Sequence, residues 1–285
     1  MIYAQVLVDG LTVGLMFALV AMGLSLIYGV MNIVNFAHGE FMMIAMYLCY
    51  FLWSGLGLDP IASAPLAAVA MFVLGIAIYR WIARYLLDAS MVAQVFATFG
   101  LLLFFQALAN YLWRADARTI GENWSTGLFS LGGLYFNGPE LVAAAGALIT
   151  ALALFWFLNR TETGLCLQAT AEDPQVARLM GINTDRMFAL AWGLSAATVG
   201  VAGALASTYL AITPLVGANW ALPAFVAVAI GGFGSISGAF WGGIIIGLVQ
   251  TAGGFFTSPS YKLLFVYLLF IVVVLVRPHG LMGKR

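Results

Sequence analysis

Charge is what this chain of 285 residues has least of: 11 Lys and Arg against 11 Asp and Glu, 8% of the residues, where 64% are hydrophobic. An ordinary soluble domain carries roughly 25% charged residues, so a surface this poor in charge has to be solvated by lipid. The net charge is zero, which supplies no basic face for nucleic acid. Cysteine and histidine are scarce as well, two of each. Cys49 and Cys166 stand apart and suit neither a disulfide framework nor a zinc site, and His38 and His279 form no metal-ligand cluster. No Ser-His-Asp set and no paired carboxylates are present, which argues against an enzyme working within the membrane. Lys and Arg are also missing from MIYAQVLVDG at the start. The first apolar run therefore lacks the basic flank of a cleavable signal peptide and is expected to remain as a span.

What the chain has in quantity is long apolar sequence, with a mean hydropathy of +1.04. A bilayer core about 30 Å thick needs about 20 apolar residues per helix, and only helices or closed barrels satisfy the backbone in lipid. The runs are continuous rather than alternating, so the expected fold is all-α. It is a polytopic integral membrane protein of about eight or nine transmembrane helices, some discontinuous, forming one transmembrane domain over residues 1–285. The runs read as Leu11–Tyr28, Phe41–Trp53, Ile61–Tyr79, Met91–Trp113, Leu141–Leu158, Phe188–Leu210, Ala224–Ile230, Phe240–Thr251 and Leu263–Val276. A long polar loop, Arg114 to Pro139, follows the fourth. The second run is too short to cross alone and is expected to draw on the polar stretch before it, which makes residues 29–40 a broken helix.

Lys and Arg in short loops favour the cytoplasm. That rule places residues 159–187, the tail from Arg277, Arg80 and Arg84 inside, and leaves Arg114, Arg118 and Lys262 outside. The C-terminus is then cytoplasmic and the N-terminus outside. Sliding the chain on itself by about 199 residues lays Gly39 on Gly238 and Phe41 on Phe240. This is either an internal repeat of the kind that transporters build binding sites from or the coincidence of two positions.

Four polar stretches interrupt the oil. The most charged is Asn159–Met187, holding Arg160, Glu162, Glu172, Asp173, Arg178, Asp185 and Arg186. Within it, Thr170 reads as a helix cap, and Asp173 before Pro174 as a first turn. Val176, Ala177, Leu179 and Met180 form an apolar stripe, and Gly181 is a stop. The product is a short amphipathic helix lying beneath the membrane, its plain alternative an ordinary polar loop. The second stretch holds Asn32, Asn35, His38 and Glu40. Ionisable groups in a span are functional candidates, and three roles are open to them: contact with a solute, bracing of the broken helix, or a proton relay. The relay is the weakest, because residues two apart on a helix do not face each other. The third, Gly231-Gly-Phe-Gly-Ser-Ile-Ser-Gly238, lacks the Lys-Ser or Lys-Thr and the preceding strand of a phosphate loop. Its glycines either admit close helix packing or unwind a turn that offers Ser235 and Ser237 to a pathway. Last, Gln94, Thr98, Gln106 and Asn110 share one face of the fourth span, as a hydrogen-bonded seam or a pore lining.

These strings also carry a family resemblance. TGLCLQATAEDPQVARLMGINTDRM, with YGVMNIVNFAHGEFMM (Tyr28–Met43), GGFGSISGAFWGG (Gly231–Gly243) and PHGLMG (Pro278–Gly283), resembles the permease subunits of branched-chain amino-acid ABC importers of the LivH type. The resemblance implies a subunit that moves a branched-chain amino acid or a similar small polar solute across the bacterial inner membrane. Such a subunit hydrolyses nothing and holds no cofactor. Its implied partners are two cytoplasmic ATPase subunits that bind the ATP, a second permease subunit of a different chain, a soluble solute-binding protein outside, and the lipid bilayer. Residues 159–187 become a coupling loop, with Thr170, Ala171, Glu172, Asp173, Pro174, Ala177, Met180 and Gly181 at the ATPase. The residues left as candidates for the solute pathway are Asn32, Asn35, His38, Glu40, Ser235 and Ser237. The sequence departs from the family at Leu165 and Gln168, where such permeases often carry Arg, and at Glu162, which makes the docking surface less basic. Other readings are an ABC permease for urea, a sugar or an aromatic acid, and an ion-coupled secondary transporter, whose ion site only His38 and Glu40 could supply.

Overall fold

A computed structural model describes residues 2–121, 123–131 and 133–283. Its helices, in chain order, are α1 (Ile2–Met31), α2 (His38–Leu56), α3 (Pro60–Trp81), α4 (Met91–Trp113), α5 (Gly138–Arg160), α6 (Glu162–Glu172), α7 (Pro174–Leu179), α8 (Thr184–Ala206), α9 (Val216–Gly231), α10 (Ile236–Phe256) and α11 (Lys262–Val276). Helices α1, α2, α3, α4, α5, α8 and α10 are long and apolar enough to cross a membrane, as is α11 together with the turn ahead of it. Helix α9 is apolar but shorter. The all-α polytopic fold is therefore as the sequence predicts. The second span does begin within the polar stretch, at His38, and α4 spans the residues read from the sequence. Helix α10 runs on past Thr251, where the reading stopped at Ala-Gly-Gly, because Gly253 gives Phe265 of α11 a place to lie: an added Cβ there would come within 2.5 Å of the ring.

The polar loop between α4 and α5 is not without structure. Strands β1 (Leu128–Leu131) and β2 (Leu134–Asn137) pair as an antiparallel hairpin, Phe129 opposite Phe136. An isolated hairpin is marginal in water, and this one leans on α1. Gln5 donates through Nε2 to the Tyr135 carbonyl at 2.7 Å and accepts from the Tyr135 N–H at 2.9 Å.

The hairpin marks one end of the helices. The α1 N-terminus lies there, Tyr3 stacking on Phe256 with ring centroids 6.3 Å apart, as does the Arg118–Ile212 backbone bridge. The opposite, charged end carries α6, α7 and the start of α8, and Tyr79 donates to Asp185 there at 2.7 Å, which brings Arg80 and Arg84 to the same side. Arg80, Arg84, Arg160, Arg178, Arg186 and Arg277 thus gather at the charged end. Arg114, Arg118 and Lys262 lie at the hairpin end. Lys284 and Arg285, which the reading counted with the first group, fall outside the described residues.

Helices α1 and α8 are the most enclosed, α4 and α11 the most exposed to the surroundings. Contact between the inner helices depends on missing side chains. Gly10 and Gly14 of α1 meet Gly243 and Gly247 of α10, and a Cβ added at Gly247 would lie 2.2 Å from the Gly14 Cα. Gly39 and Gly217 do the same for α2 and α9, an added Cβ on either coming within 2.5 Å of the other's carbonyl oxygen. Gly75 and Gly200 let α3 and α8 close upon each other. Small residues at such crossings let backbones approach, and close packing is what holds helices together where lipid is as apolar as they are.

Two interruptions share one design. Helix α1 is followed by Asn32 in the left-handed region, φ 54°, and α9 by Gly232, φ 106°. A few irregular residues later, α2 and α10 begin. An offset of 199 residues lays Asn32 on Gly231 and His38 on Ser237, each one residue from the corresponding position of the other break.

Gly247→Ala is expected to lower stability by about 1–3 kcal/mol through overpacking against α1. Gly100→Ala, in α4 with open space around it, should be neutral or stabilising by up to about 1 kcal/mol. Thermal unfolding of the detergent-solubilised variants checks both, and equal melting temperatures would refute the seam.

Candidate functional site

Residues 32–37 descend irregularly between α1 and α2, and several of their polar groups are bound by neighbours, while the buried Asn35 Nδ2 has no hydrogen-bond partner among the described residues. The Asn35 side-chain oxygen accepts from the Ala37 N–H at 3.1 Å, a local turn of the kind Asn favours. Thr98 of α4 donates to the Val34 carbonyl at 3.0 Å. His38 lies fully buried, and its Nε2 sits 2.9 Å from the Val20 carbonyl of α1. A carbonyl can only accept, so Nε2 carries the proton and Nδ1 is left to accept from Ser195 of α8, at 3.5 Å. Glu40, also fully buried, accepts from Gln106 of α4 at 3.0 Å.

His38 and Glu40 therefore turn to different helices, His38 to α1 and α8 and Glu40 to α4. No relay joins them directly. The seam expected on α4 is present in Thr98 and Gln106, while Gln94 turns to the carbonyls of Leu86 and Ala89. Asn110 is exposed and makes no part of it.

A cavity of about 550 Å³ opens at the charged end, walled by the last turns of α1 and α5, by α6, and by the break between α9 and α10. It divides the six pathway candidates. Asn32, Ser235 and Ser237 line it, whereas Asn35, His38 and Glu40 do not. Ser235 is also the cap of α10, its hydroxyl accepting from the Gly238 N–H at 3.1 Å. In the glycine-rich stretch Gly231 and Gly238 touch backbone to backbone, and Ser235 and Ser237 between them line the cavity.

The C-terminal turn closes onto the same break. Leu281 and Met282 donate their N–H groups to the carbonyls of Ile230 and Gly231 at 2.8 and 2.9 Å, satisfying the last turn of α9. Gly280 holds φ 73° to make this possible. Met282 reaches the cavity wall.

The charged segment holds two helices rather than one. Thr161 caps α6, accepting from the Gly164 N–H at 3.0 Å. Gly164 is pressed onto the end of α5, where an added Cβ would lie 2.2 Å from the Phe157 carbonyl oxygen. This helix escapes a reading by hydropathy because its apolar residues form no stripe; the Thr-Glu-Thr-Gly start was its one signal. Thr170 is not the cap expected of it. It stands inside α6 and donates to the Cys166 carbonyl at 2.8 Å, because α6 continues to Glu172. Asp173 is the cap of α7, accepting from the Gln175 and Val176 N–H groups at 2.8 and 3.1 Å. Gly181 does end the helix, with φ 85° and a bond from the Ile182 N–H back to the Ala177 carbonyl at 3.0 Å. The apolar stripe also divides: Ala177 is buried, while Leu179 is 86% and Met180 78% exposed, with Val176 beside them. Arg178 donates to Thr184 and stays exposed, as does Gln175, so α7 presents Val176, Leu179 and Met180 between two polar side chains.

The family described as branched-chain amino acid transport system, permease component, matches residues 6–274. The high-affinity branched-chain amino acid permease protein BraD of Pseudomonas aeruginosa is 31% identical, over 99% of this chain and 96% of that protein. LivH of Salmonella typhimurium, described likewise, is 32% identical over the same shares. The fructose import permease FrcC of Rhizobium meliloti is 30% identical over 58% of this chain and 50% of its own length. The chain belongs to the branched-chain amino acid transport system permease family.

Gln106→Leu removes the donor to Glu40 and is expected to cost about 1–3 kcal/mol, the penalty for a buried polar group left unmatched. Asn110→Leu, one turn further along α4 and exposed, should stay within about 0.5 kcal/mol. Unfolding in mixed micelles measures both, and equal losses would remove Gln106 from the bracing.

Proposed function

We propose that this permease is the membrane-spanning subunit of an ATP-driven importer for branched-chain amino acids or a similar small polar solute. A soluble protein delivers the solute at the hairpin end. The chain itself hydrolyses nothing, and the ATP is bound by two ATPase subunits at the charged end, which is the cytoplasmic one. A second permease subunit, of a different chain, completes the passage.

The observation that carries the reading is α7. It is a short helix fixed by Asp173 at one end and Gly181 at the other, and it holds Val176, Leu179 and Met180 outward. Large apolar side chains held rigidly at a polar surface mark a contact with another protein. Because Gly164 leaves no slack between α6 and α5, a push on α7 and α6 reaches the lower end of α5 as a rigid movement. That end, through Phe155, Leu158 and Asn159, is a wall of the cavity. The walls facing it belong to α1 and to the α9–α10 break. Force entering at α7 thus changes the cavity without any chemistry in this chain. The missing basic residues are consistent with the exposed surface: docking here depends on apolar contact.

A sugar is the second reading of the solute, favoured by the likeness to the fructose permease over the part of the chain it covers. An ion-coupled transporter is disfavoured, since His38 and Glu40, the two groups that would have to form the ion site, are bound to different helices.

Leu179→Asp combined with Met180→Asp is expected to abolish co-purification of the ATPase subunits while leaving the permease folded, because both side chains are exposed. Gly181→Val should lower solute uptake per ATP hydrolysed at least about tenfold, since a β-branched residue resists positive φ. Proteoliposome uptake of leucine and of fructose, measured with the ATPase rate, decides. Coupled uptake that survives both changes would sink the docking role, and fructose moved in preference to leucine would replace the solute.

A further inference from the structure

We infer that the outward face of α9 is the wall along which the transported amino acid passes, and that Asn219 is its polar contact near the middle of the membrane. The inference rests on the reading just given and adds to it a position for the passage and a residue that selects what uses it.

The first observation is depth. Helix α9 begins inside the membrane rather than at its surface. Gly217, in its first turn, lies against the start of α2, where an added Cβ would come 2.5 Å from the Gly39 carbonyl oxygen. His38, beside Gly39, is bound to the Val20 carbonyl. Val20 stands about three helical turns, or about 16 Å, short of the charged end of α1 at Met31. A bilayer core is about 30 Å thick, so α9 starts near its middle.

The second observation is what α9 turns outward at that depth. Gly217 faces α2, so Asn219, two residues on, faces the other way, and it is exposed. Leu215 and Leu222 are exposed on the same side, and Phe225 and Ala229 follow at intervals of three and four residues. An amide left in hydrocarbon without a partner is costly. Irregular backbone, such as that of Leu215 ahead of the helix, is not found against lipid either. Both features exclude lipid from this face and leave water or protein to cover it.

The third observation decides for a passage. The stripe leads down α9 to Phe233, whose ring lies 4.8 Å from that of Tyr28, and both residues line the cavity at the charged end. A face that joins the middle of the membrane to an open cavity at its inner end is a route, with the second permease as its far wall.

The composition of the stripe names the solute. Asn219 carries the one amide, hydroxyl or charge among the side chains of α9, VGANWALPAFVAVAIG. An amide donates to a carboxylate and accepts from an ammonium group. Being uncharged, it holds a zwitterion weakly enough to let it go, which passage requires. Leu215 and Leu222 on either side suit an aliphatic side chain. A sugar would leave most of its hydroxyls unmatched on this wall, so the face favours the branched-chain amino acid over fructose.

The test uses the whole complex, both permeases with both ATPases, in proteoliposomes supplied with the binding protein. Asn219→Leu, at an exposed position and so without effect on assembly, is expected to lower the maximal rate of leucine uptake about tenfold, the loss of one hydrogen bond to a charged group. The leucine concentration giving half-maximal uptake is set by the binding protein and should not move. Asn219→Gln keeps the amide and should restore most of the rate. Asn219→Cys, combined with Cys166→Ser, should react with a water-soluble thiosulfonate, and more slowly when leucine and its binding protein are in excess. Unaltered leucine uptake in Asn219→Leu, absence of labelling at Asn219→Cys, or labelling that leucine does not slow would each overturn the inference. Leucine uptake by the unaltered complex separates the two levels. Uptake in the face of any of those results overturns the passage along α9 alone, and absence of all branched-chain amino-acid uptake overturns the underlying reading and the passage with it.

Discussion

The structure depends on backbone meeting backbone. In lipid, apolar side chains gain nothing by leaving their surroundings for one another, so helices adhere through close packing and a few internal hydrogen bonds. Here the closeness is supplied at α1 against α10 by Gly14 and Gly247, at α2 against α9 by Gly39 and Gly217, and at α3 against α8 by Gly75. Once these crossings are fixed, the positions of both helix breaks follow. Gly29 at the end of α1 lies against Gly234 in the second break, and α2 starts where Gly39 can touch α9. The interruptions sit at the tightest contacts because an interrupted backbone has to be covered by protein, and only a glycine-lined crossing covers it closely enough.

A consequence is that the costliest polar residues are spent on holding the breaks. Asn35 turns onto its own backbone, Thr98 reaches across from α4, and His38 and Glu40 anchor the start of α2 to α1, α8 and α4. Such groups mark the site without lining it. The polar groups that face open space, Asn32, Ser235 and Ser237, are ordinary in a sequence and would be passed over in most. Position distinguishes them: each stands at the edge of a break, where a helix end leaves its side chains facing a cavity.

Much of the fold was legible in the sequence, because twenty apolar residues in a row admit few alternatives in a bilayer. Helix α4 covers the run read from the sequence, Met91–Trp113, and its cap, Ser90, is seen only in the structure. The partition of Arg80, Arg84 and Arg178 from Arg114 and Arg118 could be read without coordinates. What escaped was structure stabilised from a distance. The hairpin depends on Gln5, which is separated from Tyr135 by 130 residues, and no local pattern announces that bond. Helix α6 is held by Gly164 against α5, again a contact that hydropathy cannot see. The misplaced cap at Thr170 has the same origin, since its helix had not been recognised.

The same rigid contact connects the two ends of the proposed mechanism. If α6 were free to slide on α5, movement at α7 would be absorbed by the joint, and the exposed Leu179 and Met180 would be only a point of attachment. Because Gly164 is seated directly on the Phe157 carbonyl, with Leu158 beside it, α6 and the end of α5 move as one wall. The opposite wall is fixed by the α1–α10 seam and by the C-terminal turn, which donates to the carbonyls of Ile230 and Gly231. One wall is therefore tied to α7, the proposed docking helix, and the other to the scaffold.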